Sequence, residues 1–237
     1  MDWPEAGLSA AVQLLHPLNL SPISVIDVGA HCGETLSSLA QIWPGALTYV
    51  GLEPNPDSFA DFEAVASTLR AEARQLTCLP YAAGPQDGST RFRMTRASAV
   101  SGILPAVNGL LERVPSGDHE LIREIDVEIA TIETLVGRFG LEPLNLLKID
   151  TEGYDLEVLH GARELLAAQT IDVVLTEAFF VPYRVGQAYF WDIASFMREV
   201  GYHFVNLYDT RDTSQGRLYT GNAVWVSARV GQANDFL

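Results

Sequence analysis

The sequence predicts an α/β fold: a mainly parallel sheet covered by helices on both faces and closed by an antiparallel hairpin. Three observations predict it. Short apolar runs rich in β-branched residues alternate with stretches whose apolar residues recur at helical spacing. Glycine or acidic residues stand where these runs end, and a doubly wound sheet binds its ligands at the carboxyl ends of its strands. The last two runs have no helical stretch between them, which is the pattern of a hairpin.

In chain order, Glu5 to Leu15 reads as a short helix closed off by Pro17 and Pro22. Ser24 to Val28 is a buried strand ending at Gly29. Leu36, Leu39, Ala40 and Trp43 mark a helix that Pro44 should stop. Leu47 to Leu52 is the next strand and ends at Glu53. Asn55 is placed to cap a helix that begins at Pro56 and buries Phe59, Phe62, Val65 and Leu69. Gln75 to Ala82 reads as a third strand, and Arg91 to Met94 as an additional β segment. From Thr95 to Glu120 the pattern weakens, as expected of a substrate-covering lid or a surface insertion over residues 95–124. Order returns with Ile125 to Ile129, a helix from Thr131 to Phe139, and a strand from Leu144 to Ile149 that ends at Asp150. Leu156, Leu159 and Leu166 mark the following helix. Ile171 to Leu175 is a strand ending near Glu177, and Tyr189 to Val200 is a helix closed by Gly201. His203 to Tyr208 and Ala223 to Ala228 form the final hairpin.

Composition limits the function. The 237 residues are expected to form one domain, with 1–22 as a helical lead-in. Fifteen basic against 30 acidic residues give a net charge of −15, a field that repels phosphate backbones and argues against general nucleic-acid binding. No apolar run approaches the roughly 18 residues of a membrane span. The start, Met1 to Glu5, lacks a basic secretory leader. Cys32 and Cys78 form neither a disulfide framework nor a metal pattern, so a reducing cytoplasm is the expected home.

Chemistry collects at the strand ends. Gly29 and Gly33 bracket a strand-to-helix turn where a ligand can approach the backbone. Glu53 lies 20 residues beyond Gly33 and can accept two hydrogen bonds from a ribose diol. Together they point to an adenosine-containing cofactor. A dinucleotide needs G-x-G-x-x-G, so that its diphosphate sits on the helix N-terminus. Here the turn is Gly29-Ala30-His31-Cys32-Gly33, and Glu34, which would repel a diphosphate, opens the helix. S-adenosylmethionine, with an amino group and a sulfonium, meets no such repulsion, and Asp27 could hold its amino group directly or through water.

The segments Val25-Ile26-Asp27-Val28-Gly29-Ala30-His31-Cys32-Gly33-Glu34-Thr35, Gly51-Leu52-Glu53-Pro54-Asn55-Pro56, Leu147-Lys148-Ile149-Asp150-Thr151-Glu152-Gly153 and Val158-Leu159-His160-Gly161-Ala162 resemble, in order, the motifs of the FkbM-type S-adenosylmethionine-dependent methyltransferases. The resemblance implies a class I, Rossmann-like methyltransferase fold, a three-layer sandwich around a seven-stranded sheet. It also implies O-methylation of a sugar or natural-product hydroxyl. It places cofactor contacts at Asp27, Gly29, Gly33 and Glu53, and puts Asp150 near the transferred methyl. The neighbouring Ala30, His31, Glu34, Pro54 and Ala82 complete the expected cofactor set. The chain departs from the family at His31, where Asn is common, and Thr131 to Leu135 follows the family's T-L-D-D-L only in part.

A hydroxyl acceptor has to lose its proton, and a placed base is worth roughly 10²–10⁴-fold. Asp150 or Glu152 is expected to orient or deprotonate the acceptor, with Lys148 neutralising that carboxylate or simply fixing the loop as a salt bridge. Glu177, at the next strand end, is a second candidate for that role. His31 is either a base or a packing residue, Cys32 a packing residue, and His16, His119 and His203 stand without supporting partners. Asp150, Glu152, Asp155 and Glu157 fall on different faces in helical projection, so no metal is expected. Two rivals remain open: a nicotinamide-dependent dehydrogenase, which the missing third glycine and Glu34 discourage, and a non-catalytic binding domain.

Overall fold

The computed structural model describes residues 5–43, 45–70, 74–107 and 118–236. Strands β1 (Ile23–Val28), β2 (Leu47–Leu52), β3 (Arg74–Leu79), β7 (Leu144–Ile149) and β8 (Ile171–Phe179) are parallel. The hairpin of β9 (His203–Asp212) and β10 (Leu218–Val226) completes a seven-stranded sheet of order β3-β2-β1-β7-β8-β10-β9, with β10 antiparallel to both neighbours. Every residue of β1 and β7 is buried, which is why both read as continuous apolar runs rather than alternating ones.

Two cores cover the two faces of the sheet. Leu8, Leu36 and Phe62, from the helices Ala6–Leu15, Glu34–Ile42 and Pro56–Leu69, pack on one face with Val25 and Leu146. Leu135, Leu159 and Ile193, from the helices Ile132–Phe139, Asp155–His160 and Phe190–Glu199, pack on the other with Ile26 and Leu147. The class expected from the sequence, a three-layer sandwich with a closing hairpin, is the one observed. Asn55 caps its helix as expected, its side chain accepting from Asp57 N–H at 3.1 Å. Pro44, expected to end the preceding helix, lies outside the described residues, as do residues 1–4 of the lead-in and 108–117 of the lid-like stretch; the helix itself ends at Ile42.

Several boundaries differ from the sequence reading. Gln75 to Ala82 is two strands, not one. Pro80 has no N–H to donate, so pairing with β2 stops at Leu79, and β4 (Tyr81–Ala83) joins a second, three-stranded sheet. That sheet also holds β5 (Gly88–Thr95) and β6 (Leu121–Ala130), which contain the additional β segment and the run from Ile125 to Ile129. Its small core of Ala82, Phe92, Met94, Val127 and Ile129 stands beside the carboxyl ends of the main sheet. β8 runs past Glu177 to Phe179, because β10 pairs with it as far as Thr220. β10 ends at Val226 rather than Ala228, where Ser227 caps a short helix by accepting from Val230 N–H.

Candidate functional site

The order of the main sheet reverses between β1 and β7, and a cleft of about 380 Å³ opens beyond their carboxyl ends. The turn after β1 forms its floor. Gly29 adopts φ +81°, and a Cβ there would lie 2.0 Å from the Asp150 carbonyl oxygen, so the turn and the end of β7 touch backbone to backbone. His31, at φ +47°, and Gly33, at φ +89°, tighten the turn and start the next helix.

Glu53 closes the β2 side of the cleft. It is 6% exposed and accepts from the backbone N–H groups of His31 at 2.8 Å and Asn55 at 2.7 Å. Burial raises its pKa, and those two N–H groups and His31 oppose the shift. Each oxygen keeps a free lone pair for a donor in the cleft. Glu34 bends back over its own helix N-terminus: Oε2 accepts from Cys32 N–H at 3.1 Å and Oε1 lies 3.0 Å from His31 Nδ1. The protein's own carboxylate therefore occupies the place where a dinucleotide fold holds a diphosphate.

Of the expected cofactor residues, Gly29, Ala30, His31, Glu34, Glu53, Pro54, Ala82 and Asp150 line the cleft, and Asp27 and Gly33 do not. Asp27 is fully buried behind the turn, where Tyr49 O–H donates to it at 2.6 Å and the Lys148 ammonium lies 3.3 Å away. Lys148 Nζ also donates to the Gly29 carbonyl at 3.2 Å and lies 3.5 Å from Asp150. Burial disfavours its charge, but Asp27 and Asp150 outweigh that and hold it protonated. Lys148 thus ties the turn after β1 to β7 and lies beside the Asp150 carboxylate.

Beyond β7, Asp150, Glu152 and Glu177 bring carboxylate oxygens within 4.8 Å of one another, a cluster that could hold a cation. The sequence reading set Asp150, Glu152, Asp155 and Glu157 on different faces and expected no metal among them; Asp155 accepts from Glu177 N–H at 3.0 Å and Thr151 O–H at 2.8 Å. A second group with ligand chemistry, His31, Cys32 and Glu34, lies in the turn after β1. Burial, and then the Asp150 charge, push Glu152 up to about 7, against the pull of Arg184 3.2 Å away. Burial and the neighbouring acids also raise Glu177, whose Oε1 accepts from Thr220 O–H at 3.1 Å.

The sequence reading missed the residues that face Glu152, and the stretch it expected as a lid or insertion contributes Ser98, Ala99 and residues 101–103 to the cleft wall. Arg184 donates to the Val100 carbonyl, and its guanidinium lies 4.5 Å over the Tyr183 ring. His119 Nδ1 lies 3.3 Å from Tyr183 O–H, so this histidine has a partner after all. Residues 96–107 form a strap: Gly102 pairs with Arg93, Val107 N–H donates to Tyr183 O, and Ser98 O–H meets His31 Nε2 at 2.8 Å. The available signal was an aromatic–arginine pair in the loop just after β8, a strand end like those that carry the other site residues.

A seven-stranded sheet of this order, with an acid-lined cleft at its switch point, defines the class I methyltransferase fold. The family model of the methyltransferase FkbM domain matches residues 27–204, and the chain belongs to that family. A methyltransferase FkbM from Methylobacillus flagellatus KT superposes with a TM-score of 0.54 at 16% identity; the match covers 88% of this chain and 45% of that one, so the chain spans less than half its length. A magnesium protoporphyrin IX methyltransferase from Synechocystis PCC 6803, solved with bound SAM, superposes with a TM-score of 0.52 at 13% identity over 94% of this chain and 78% of that one. No curated protein matches the chain. Among the described residues, no helix is long and apolar enough to cross a membrane.

Proposed function

We propose that this chain transfers a methyl group from S-adenosylmethionine to a hydroxyl of a sugar or other small molecule. The arrangement of two carboxylates around one turn carries the reading. Glu53 stands at the end of β2 with acceptor capacity facing the cleft, and Glu34 fills the helix N-terminus. The first suits a ribose diol, and the second disfavours the diphosphate of a nicotinamide dinucleotide. The acid-lined cleft also suits a cationic cofactor.

When bound, S-adenosylmethionine supplies an electrophilic methyl on a sulfonium. Glu53 is assigned the ribose hydroxyls, and the turn at Gly29 lets the cofactor approach the backbone closely. The chain's contribution to transfer is alignment of an acceptor oxygen over β7 and removal of its proton. Glu152 is assigned the proton, because burial makes it a stronger base than an exposed carboxylate while Arg184 holds its position. Asp150, paired with Lys148, is assigned the orientation of the acceptor hydroxyl. The strap over residues 96–107 is assigned to cover the acceptor. The net charge of −15 supports small-molecule or glycan acceptors over nucleic acid, and the free thiols of Cys32 and Cys78 support a reducing, cytoplasmic setting.

Thermal shift with S-adenosylmethionine, S-adenosylhomocysteine and NAD side by side tests this reading. Either sulfur ligand at 100 times its dissociation constant should stabilise the fold by about 2.7 kcal/mol. A folded protein that shifts with neither refutes the reading, and a shift with NAD alone replaces it with a dehydrogenase. A screen of hydroxylated acceptors with radiolabelled methyl donor then identifies the acceptor.

A further inference from the structure

One wall of the cleft is contributed by Arg211 of β9, a strand that carries none of the site residues expected from the sequence. Tyr208 pairs with Asn222 and Arg211 with Thr220, so β9 spends three steps where β10 spends two. This is a β-bulge, and a bulge re-aims the side chains that follow it. Asp209, at φ +49° inside the bulge, accepts from the first N–H groups of the N-terminal helix, Ala6 at 2.9 Å and Gly7 at 2.8 Å. That clamp fixes the start of the helix against β9, and Glu5 and Arg211 both line the cleft there.

The charges of the lining then single out one residue. Glu5, Glu34, Glu53, Asp150 and Glu152 are acidic, and Lys148 and Arg211 are the lysine and arginine that line the cleft with them. Lys148 is fully committed to Asp27, Asp150 and the Gly29 carbonyl. His31 is engaged by Glu34 and Ser98. Arg211 has no side-chain hydrogen bond or ion pair among the described residues. An amino-acid tail entering this cleft brings an ammonium, for which acids are plentiful, and a carboxylate, which every neighbouring acid repels. The planar fork of an arginine matches a carboxylate with two parallel hydrogen bonds.

We propose that Arg211 binds the α-carboxylate of the cofactor's methionine tail, with Glu5 beside it facing the α-ammonium. The assignment rests on the S-adenosylmethionine reading above. It makes the β9 bulge a part of the cofactor site and gives the clamp of Asp209 on the N-terminal helix a function, since that clamp brings both residues to this wall.

The test is calorimetric titration of the full chain and its Arg211→Gln variant with two ligands, S-adenosylhomocysteine and its decarboxylated analogue, which keeps the amine. The wild type should bind the carboxylate-bearing ligand at least about 10-fold more tightly. The substitution should weaken that ligand by about 10- to 100-fold, the range of a lost charged hydrogen-bond pair, and leave the decarboxylated one within about 3-fold. Arg211→Lys should recover part of the loss. Equal affinity of wild type and variant for S-adenosylhomocysteine overturns the assignment and leaves the cofactor reading intact. So does an equal loss for both ligands, which marks a structural role. A wild type that binds neither ligand overturns the cofactor reading and this assignment together.

Discussion

The imidazole of His31 joins the turn after β1 to the strap above it, with Nε2 2.8 Å from Ser98 Oγ. The other ring nitrogen faces Glu34, whose hydrogen bond raises the His31 pKa against the opposing effect of burial. One side chain thus links the floor of the cleft to its cover. A neutral hydrogen bond of this kind contributes about 0.5–1.5 kcal/mol. Ser98→Ala should therefore speed release of S-adenosylmethionine by about 2- to 12-fold in stopped-flow fluorescence, with the melting temperature nearly unchanged. An unaltered off-rate would mean that the strap does not retain the cofactor.

Glu152→Gln should lower kcat by about 10²–10⁴-fold and leave the affinity for S-adenosylmethionine within a few fold. The pH profile gives an independent check. Burial raises the Glu152 pKa to about 7, and a base works only when deprotonated, so the wild-type rate should climb with pH through about 7. The climb should vanish in the variant. If Asp150→Asn abolishes turnover and Glu152→Gln does not, the base is Asp150.

Lys148→Met should strip the fully buried Asp27 of its cation. Removing one partner of a buried ion pair costs about 3–5 kcal/mol. The melting temperature of the single variant should fall sharply, and adding Asp27→Asn should restore much of the loss, because Tyr49 can still donate to the amide oxygen. If the double variant is no more stable than Lys148→Met, the lysine acts through its contacts to Gly29 and Asp150 instead.

Asp155 gives a stability prediction with a definite sign. It is 1% exposed, and burial followed by the Asp150 charge pushes its pKa up to about 8. Below about pH 4 the carboxyl is neutral in both the folded and the unfolded chain. Between about 4 and 8 the unfolded chain releases the proton and the folded chain keeps it, so stability falls as pH rises; above about 8 this slope ends. Asp155→Asn removes the titration, and its melting temperature should decline less between pH 5 and 8 than that of the wild type. Parallel declines would show that other carboxyls carry the pH dependence.

The parts of the site legible in the sequence are those built by local rules. A β-branched run ending in glycine, an Asn-Pro helix start and an acid one strand later each announce themselves through backbone preference and spacing, as Gly29, Asn55 and Glu53 did. Residues brought in from a distance leave no such mark. Arg184 reaches Glu152 across 32 positions and Ser98 reaches His31 across 67, and nothing in either segment's periodicity signals the contact. Asp27 was legible as a strand-end acid, but its orientation depends on which face of β1 it occupies, and it faces Tyr49 rather than the cleft. The division of Gln75 to Ala82 turned on Pro80 alone, a single missing donor inside an otherwise continuous β-like run.

The contact between Gly29 and the Asp150 carbonyl has a consequence for how acceptor range changes. No side chain separates the two backbones, so the turn after β1 and the carboxylates beyond β7 are parts of one rigid block. The strap of residues 96–107 and the loop 181–187, joined by Arg184 to the Val100 carbonyl, meet that block through side-chain contacts to His31 and Glu152. Under the proposed methyl transfer, new acceptors are accommodated by exchanging loops while the strand-end geometry stays inherited, and a protein engineer seeking altered selectivity would graft at those two segments and leave the strand ends alone.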